Sequence, residues 1–109
     1  MTTGTLRLLP SKRHRGEVLE ILRSVQGPVL ATPGCRGFQV LEENGPDGAI
    51  VVLERWDSDA SLTRHLRSGA YRRILAACEL SGATPEFRFD QIAGSEGIER
   101  VERSLKPEG

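Results

Sequence analysis

The chain has 109 residues, 38% of them hydrophobic and 28% charged, with 15 Lys plus Arg balanced by 15 Asp plus Glu. That length fits one domain burying roughly 65% of its unfolded surface, and the balanced charge offers no basic footprint for nucleic acid or an anionic membrane. No apolar run approaches the roughly 18 residues of a membrane span. Met1–Thr5 lacks the basic and apolar regions of a signal peptide, and Cys35 and Cys78 suit reduced packing thiols in a cytoplasm rather than a disulfide framework or a metal knuckle.

Thr5–Leu9 is a short apolar stretch stopped by Pro10, and it predicts a first strand. Ser11 is placed to cap the next element. Val18, Leu19, Leu22, Val25 and Val29 then recur at helical spacing. Gly27-Pro28 interrupts that pattern, and an interior proline costs a helix about 3 kcal/mol. A kink near Gln26, with one further turn carrying Val29, is expected. Thr32-Pro33-Gly34 ends the helix.

Cys35–Glu43 reads as a strand, with Phe38 and Val40 on one side and Gly37, Gln39 and Leu41 on the other. Asn44–Gly48 is dense turn chemistry, and it predicts an antiparallel hairpin with the run Ile50–Trp56. Ile50–Leu53 is continuously apolar, as in a buried central strand. A helix is expected from about Ser58, with Leu62, His65 and Leu66 on its inner face and Gly69 as its terminator. The only Trp, Trp56, and one of two His, His65, are thereby brought towards each other. Tyr71, Ile74, Leu75 and Cys78 mark one face of a further helix. Glu86–Ile92 alternates as a half-buried strand, with Phe87 and Phe89 opposite Arg88 and Asp90. Ile98, Val101 and Leu105 are spaced for a weak terminal helix.

The order βαββααβ is the split βαβ, ferredoxin-like plan of an α+β domain. It predicts a four-stranded antiparallel sheet with helices on one face, in residues 1–92, and a tail with a weak helix in 93–109. The other sheet face would be left with uncovered apolar side chains. Two such sheets packing face to face about a two-fold axis would cover them, so a homodimer is expected.

Several stretches together resemble the antibiotic biosynthesis monooxygenase family of the dimeric α+β barrel superfamily. They are Thr32-Pro33-Gly34-Cys35 opening a strand, Glu54-Arg55-Trp56 closing the next, Asp59-Ala60-Ser61-Leu62 leading to His65-Leu66-Arg67-Ser68, and Pro85 before the last strand. The resemblance implies a dimeric barrel and a small aromatic substrate or ligand. It also implies a monooxygenase that needs no cofactor or metal and oxidises a phenolic or quinol-type aromatic with O2. A non-catalytic small-molecule-binding or structural dimer of the same fold is the alternative.

On that reading His65 takes the phenolic proton, Trp56 walls the pocket and Tyr71 orients a substrate oxygen. Arg7 and Glu54, on neighbouring strands, are either substrate contacts or a cross-strand ion pair. For each of His65, Trp56 and Tyr71 the competing reading is a packed structural side chain. Arg64, Arg67, Arg72 and Arg73 form a basic run, read as a solvated helix face or an attractor of anions. Lys12-Arg13-His14-Arg15 stands at a helix start, where cations are mildly unfavourable. The resemblance does not extend to haem cleavage. The only Asn is Asn44, in the turn, and His65 and Leu75 stand where that branch carries its Trp and His.

Overall fold

The computed structural model describes residues 1–45 and 47–107. The elements run β1 (Thr2–Leu8), α1 (Arg15–Leu30), β2 (Cys35–Glu42), β3 (Ile50–Trp56), α2 (Asp59–Leu66), α3 (Gly69–Cys78), β4 (Glu86–Gln91) and α4 (Ile98–Leu105). All pairings are antiparallel and the sheet order is β2-β3-β1-β4. This is the ferredoxin-like arrangement that the alternation of patterns predicts.

β1 begins three residues earlier than expected, at Thr2, because it is a central strand paired along its whole length. Thr2 faces Trp56 on one side and Gln91 on the other, so the ladder captures a start that lacks apolar pattern. Ser11 serves the start of α1 through its carbonyl, which accepts from the amides of His14 and Arg15, and not through its hydroxyl. α1 runs through Pro28 to Leu30 without a break, and the burial of Val25 and Val29 on one face offsets the lost backbone bond. Arg15, a cation at the helix start, donates to Glu42 and to the Gly48 carbonyl, so it tethers α1 to the β2–β3 hairpin.

Asn44 and Gly45 both adopt positive φ, which suits a tight hairpin turn. Pro46 of that expected turn lies outside the described residues. Gly69 does not terminate α2. It opens α3, whose N-cap is Ser68, and the Ser68 hydroxyl accepts from the Tyr71 amide.

The core lies between the sheet and one helical layer. α1 contributes Val18, Leu22, Val25 and Val29, and α3 contributes Ile74 and Ala77. The inner sheet face adds Leu6, Leu8, Phe38, Ile50, Val52 and Trp56. The opposite face is open, with Leu41, Val51 and Leu53 on it, half-buried or exposed, in place of the fully buried run read for β3. α4 has no buried residue, and Ile98, Val101 and Leu105 are all exposed. No helix among the described residues is long and apolar enough to cross a membrane.

Candidate active site

Along β3 the period of two sends Ile50, Val52, Glu54 and Trp56 to the helix side and Val51, Leu53 and Arg55 to the open face. A carboxylate is thus carried into the core one step before the Trp. Glu54 is 4% exposed and Trp56 fully buried. Burying a charge in this way requires a partner.

α2 supplies it. Ser58 caps the helix by accepting from the Ser61 amide at 3.2 Å. Hydrogen bonding from Ser61, and then from Ser58, holds the Asp57 carboxyl below the usual carboxylate range, with Arg36 and Arg64 nearby. This sets the phase of the helix, so Leu62 and His65 face the sheet. His65 Nε2 lies 2.5 Å from Glu54 Oε1, and both side chains are almost completely buried. The approach is oblique to the ring N–H and leaves neither atom with an aligned hydrogen bond. Packing holds the pair together.

Two aromatic rings complete the cluster. The His65 ring stacks on Trp56 with centroids 4.5 Å apart and planes 26° apart, and Tyr71 meets it edge-on at 5.2 Å and 76°. The Trp56 indole N–H is buried and has no protein acceptor among the described residues. The His65 carbonyl accepts from the Ser68 hydroxyl and amide, which fixes the end of α2 against the start of α3 and so sets His65 against Tyr71.

Burial, reinforced by the negative charges of Glu54 and Cys78, pushes the Tyr71 hydroxyl well above its ordinary value of 10.0. Tyr71 is the only tyrosine. Its near-ultraviolet tyrosinate absorbance is therefore expected to show no step at the ordinary tyrosine value of 10.0 while the protein stays folded, and to rise on unfolding. The folded-state value is raised, so the stability linked to Tyr71 is intact below pH 10.0 and is lost as the pH climbs above it. A tyrosinate step near pH 10 in still-folded protein would contradict this picture.

Four of the five candidate residues therefore converge: Glu54, Trp56, His65 and Tyr71. Arg7 does not join them. It lies on the open face, where it makes a bidentate pair with Glu43 at 3.1 and 3.2 Å, and not a cross-strand pair with Glu54. Leu6 and Leu8 take the inner positions of β1, which puts Arg7 outside by alternation. Arg64, Arg67, Arg72 and Arg73 are all exposed, and Arg64 and Arg73 donate to Ser61 and Ser24. Cys35 and Cys78 are both free thiols, raised above their ordinary value chiefly by burial.

An open cleft of about 490 Å³ adjoins the cluster where the end of α1 meets α2 and α3. Thr32, Pro33, Arg64, His65 and Ser68 are among its walls. A smaller depression of about 270 Å³ lies on the open sheet face, over Thr5, Gly37 and Leu53. Among the described residues, no three metal-ligating side chains converge. The Glu54–His65 contact was not anticipated. Its signal was in the sequence, since Glu54 is in phase with Ile50, Val52 and Trp56.

A family model described as antibiotic biosynthesis monooxygenase matches residues 5–77. A relative from Escherichia coli strain K12 named probable quinol monooxygenase YgiN is 31% identical over 72 residues, covering 58% of this chain and 68% of the relative. A solved structure from Deinococcus radiodurans superposes with a TM-score of 0.80 at 20% identity, covering 90% of this chain and 98% of the other. One from Mycobacterium tuberculosis gives 0.80 at 23% identity, covering 88% and 98%. These two likenesses establish the fold.

Proposed function

The chain belongs to the antibiotic biosynthesis monooxygenase family, and on that premise we propose that it oxidises a quinol or related phenol with O2. The observation that carries the reading is the buried Glu54–His65 contact, walled by Trp56 and Tyr71. The name of the Escherichia coli relative supports the quinol class.

Glu54 occupies Nε2 of His65, so Nδ1 is the nitrogen left to take a proton from the substrate hydroxyl. The carboxylate opposite then stabilises the imidazolium, as an acid partner does for any histidine base. Trp56 and Tyr71 exclude water from the His65 ring, and the cleft lined by Thr32, Pro33, Arg64 and Ser68 offers an aromatic substrate its approach. The phenolate so formed is electron-rich enough to donate to O2. One oxygen atom enters the ring, the other leaves as water, and the quinol supplies all four electrons as it becomes a hydroxyquinone. No flavin or metal is needed for that balance. Oxygen uptake with a panel of one- to three-ring quinols tests the reading. Uptake no faster than the buffer blank across the panel would refute it.

The near-complete burial of His65 favours a second reading, a non-catalytic module of the same fold that binds a small aromatic or only dimerises. Binding without oxygen uptake would select it.

We also place the chain in a homodimer through the open sheet face. Leu41, Val51 and Leu53 are left without cover there, and the zero net charge does not oppose association. Sedimentation equilibrium is expected to give twice the chain mass at micromolar concentration. A concentration-independent monomer would exclude the dimer. Two free thiols support a reducing, cytoplasmic setting.

A further inference from the structure

The inner-face row that crosses the sheet through Glu54 runs Phe38, Glu54, Gly4, Phe89. Three members carry large side chains and the member on the central strand carries none. A Cβ on Gly4 would stand 3.1 Å from Phe89 Cε1, 3.3 Å from Phe89 Cδ1 and 3.8 Å from Glu54 Oε2. Phe89 therefore leans off its own strand and across β1 towards Glu54, into space that any other residue at position 4 would contest.

The two sides of Glu54 are closed differently. On the helix side it is covered by His65, itself locked between Trp56 and Tyr71. On the β4 side the Phe89 ring stands over Gly4. β4 is an edge strand, and Phe89 remains 45% exposed. A half-exposed ring changes rotamer on a fast timescale and at small cost, whereas the packed Trp56–His65–Tyr71 stack does not. The β4 side is thus the side on which one mobile ring, and not a packed stack, bounds the carboxylate, while the cleft lined by Thr32, Pro33, Arg64 and Ser68 opens at His65.

We propose that Phe89 is a specificity-determining residue of this site, a wall seated on Gly4 that limits how large a flat phenol can approach Glu54 and His65. The proposal rests on the phenol-oxidising reading above. On this proposal a one-ring phenol is accepted with the Phe89 ring in place. A three-ring phenol needs the space that the ring occupies.

The test compares wild type, Phe89→Ala and, as a control for loss of exposed apolar surface, Phe87→Ala, whose position pairs with Leu6 outside the Glu54 row. Melting curves first establish that all three are folded, which the exposure of both side chains favours. Carbodiimide-driven coupling of glycinamide to Glu54 is then followed by peptide mapping, with the exposed Glu17 as internal reference. Binding of 1,4-dihydroxybenzene and 9,10-dihydroxyanthracene is followed through the fluorescence of Trp56, the only Trp.

In Phe89→Ala, coupling at Glu54 is expected to rise about tenfold relative to Glu17, and the preference for the one-ring probe to fall about tenfold, the scale of a pocket gaining room for a few carbons. Phe87→Ala is expected to match wild type in both. Unchanged coupling in Phe89→Ala, an equal rise in Phe87→Ala, or an unchanged ring-size preference would each overturn the proposal. If the expected shifts occur while wild type consumes no oxygen with either probe, the wall stands and the phenol-oxidising reading falls.

Discussion

His65→Ala is expected to lower quinol turnover by about 10²–10⁴-fold, the usual contribution of a general base. It is expected to lower the melting temperature as well. The ring is 2% exposed, stacked on Trp56 and edge-packed by Tyr71, so truncation opens a void in the packed layer. It also strands the Glu54 carboxylate, and removing one member of a buried pair costs about 3–5 kcal/mol. That is a large share of a small domain's stability and corresponds to a fall of ten degrees or more, on the order given by the usual scaling. Alanine alone therefore mixes chemistry with folding. His65→Gln separates them. A glutamine fills much of the same space and offers Glu54 an N–H, but it accepts no proton at neutral pH. It is expected to keep most of the stability and still lose turnover. A folded His65→Gln protein with wild-type turnover would remove His65 from the chemistry.

The second large effect lies in the scaffold. Gly34 sits at φ 90° immediately before β2, and its carbonyl accepts from the Asp57 amide at the start of α2. An alanine Cβ there would stand 2.7 Å from Ser61 Cβ and 2.9 Å from Asp57 Oδ1. Gly34→Ala thus combines the cost of a left-handed backbone, about 1–2 kcal/mol, with crowding and a disturbed cap, for a total of about 3 kcal/mol or more. Gly45→Ala is the control, since Gly45 has a similar φ of 83° and nothing within 4 Å of its added Cβ. Chemical denaturation of both variants should find Gly34→Ala clearly the worse. Equal losses would mean that Gly34 does not anchor α2. The same anchor sets where His65 meets Glu54, so a folded remnant of Gly34→Ala should also lose activity.

The elements were legible because their apolar periods are clean. α1 reads as a helix through Pro28 because Val25 and Val29 hold one face, and the β2–β3 hairpin reads from its turn chemistry. The start of β1 was not legible. Thr2, Thr3 and Gly4 carry no apolar pattern, and only their pairing on two sides makes them strand. β4 forms where its pattern predicts, yet neither of its faces is buried and Phe87 and Phe89 stay 45% exposed, because it is the edge strand on that side. The approach of Trp56 and His65 followed from strand and helix phase. The Glu54–His65 contact was obscured by the apolar run Ile50–Leu53, which reads as buried on both faces and hides the alternation that carries Glu54 inward. The pairing of Arg7 with Glu54 fails for the opposite reason: the two stand on neighbouring strands, but alternation puts Arg7 on the open face and Glu54 on the inner one.

The Glu54–His65 pair as the proton-accepting centre of an O2-dependent oxidation is tested most directly by product mass under isotopically heavy O2, for wild type beside Glu54→Gln. That substitution keeps the shape of the side chain and removes the charge that stabilises a protonated His65. Wild type is predicted to place one heavy oxygen atom in each hydroxyquinone formed, and Glu54→Gln to form the same product about 10²-fold more slowly. A wild-type rate in folded Glu54→Gln, or a wild-type product without heavy oxygen, would contradict it.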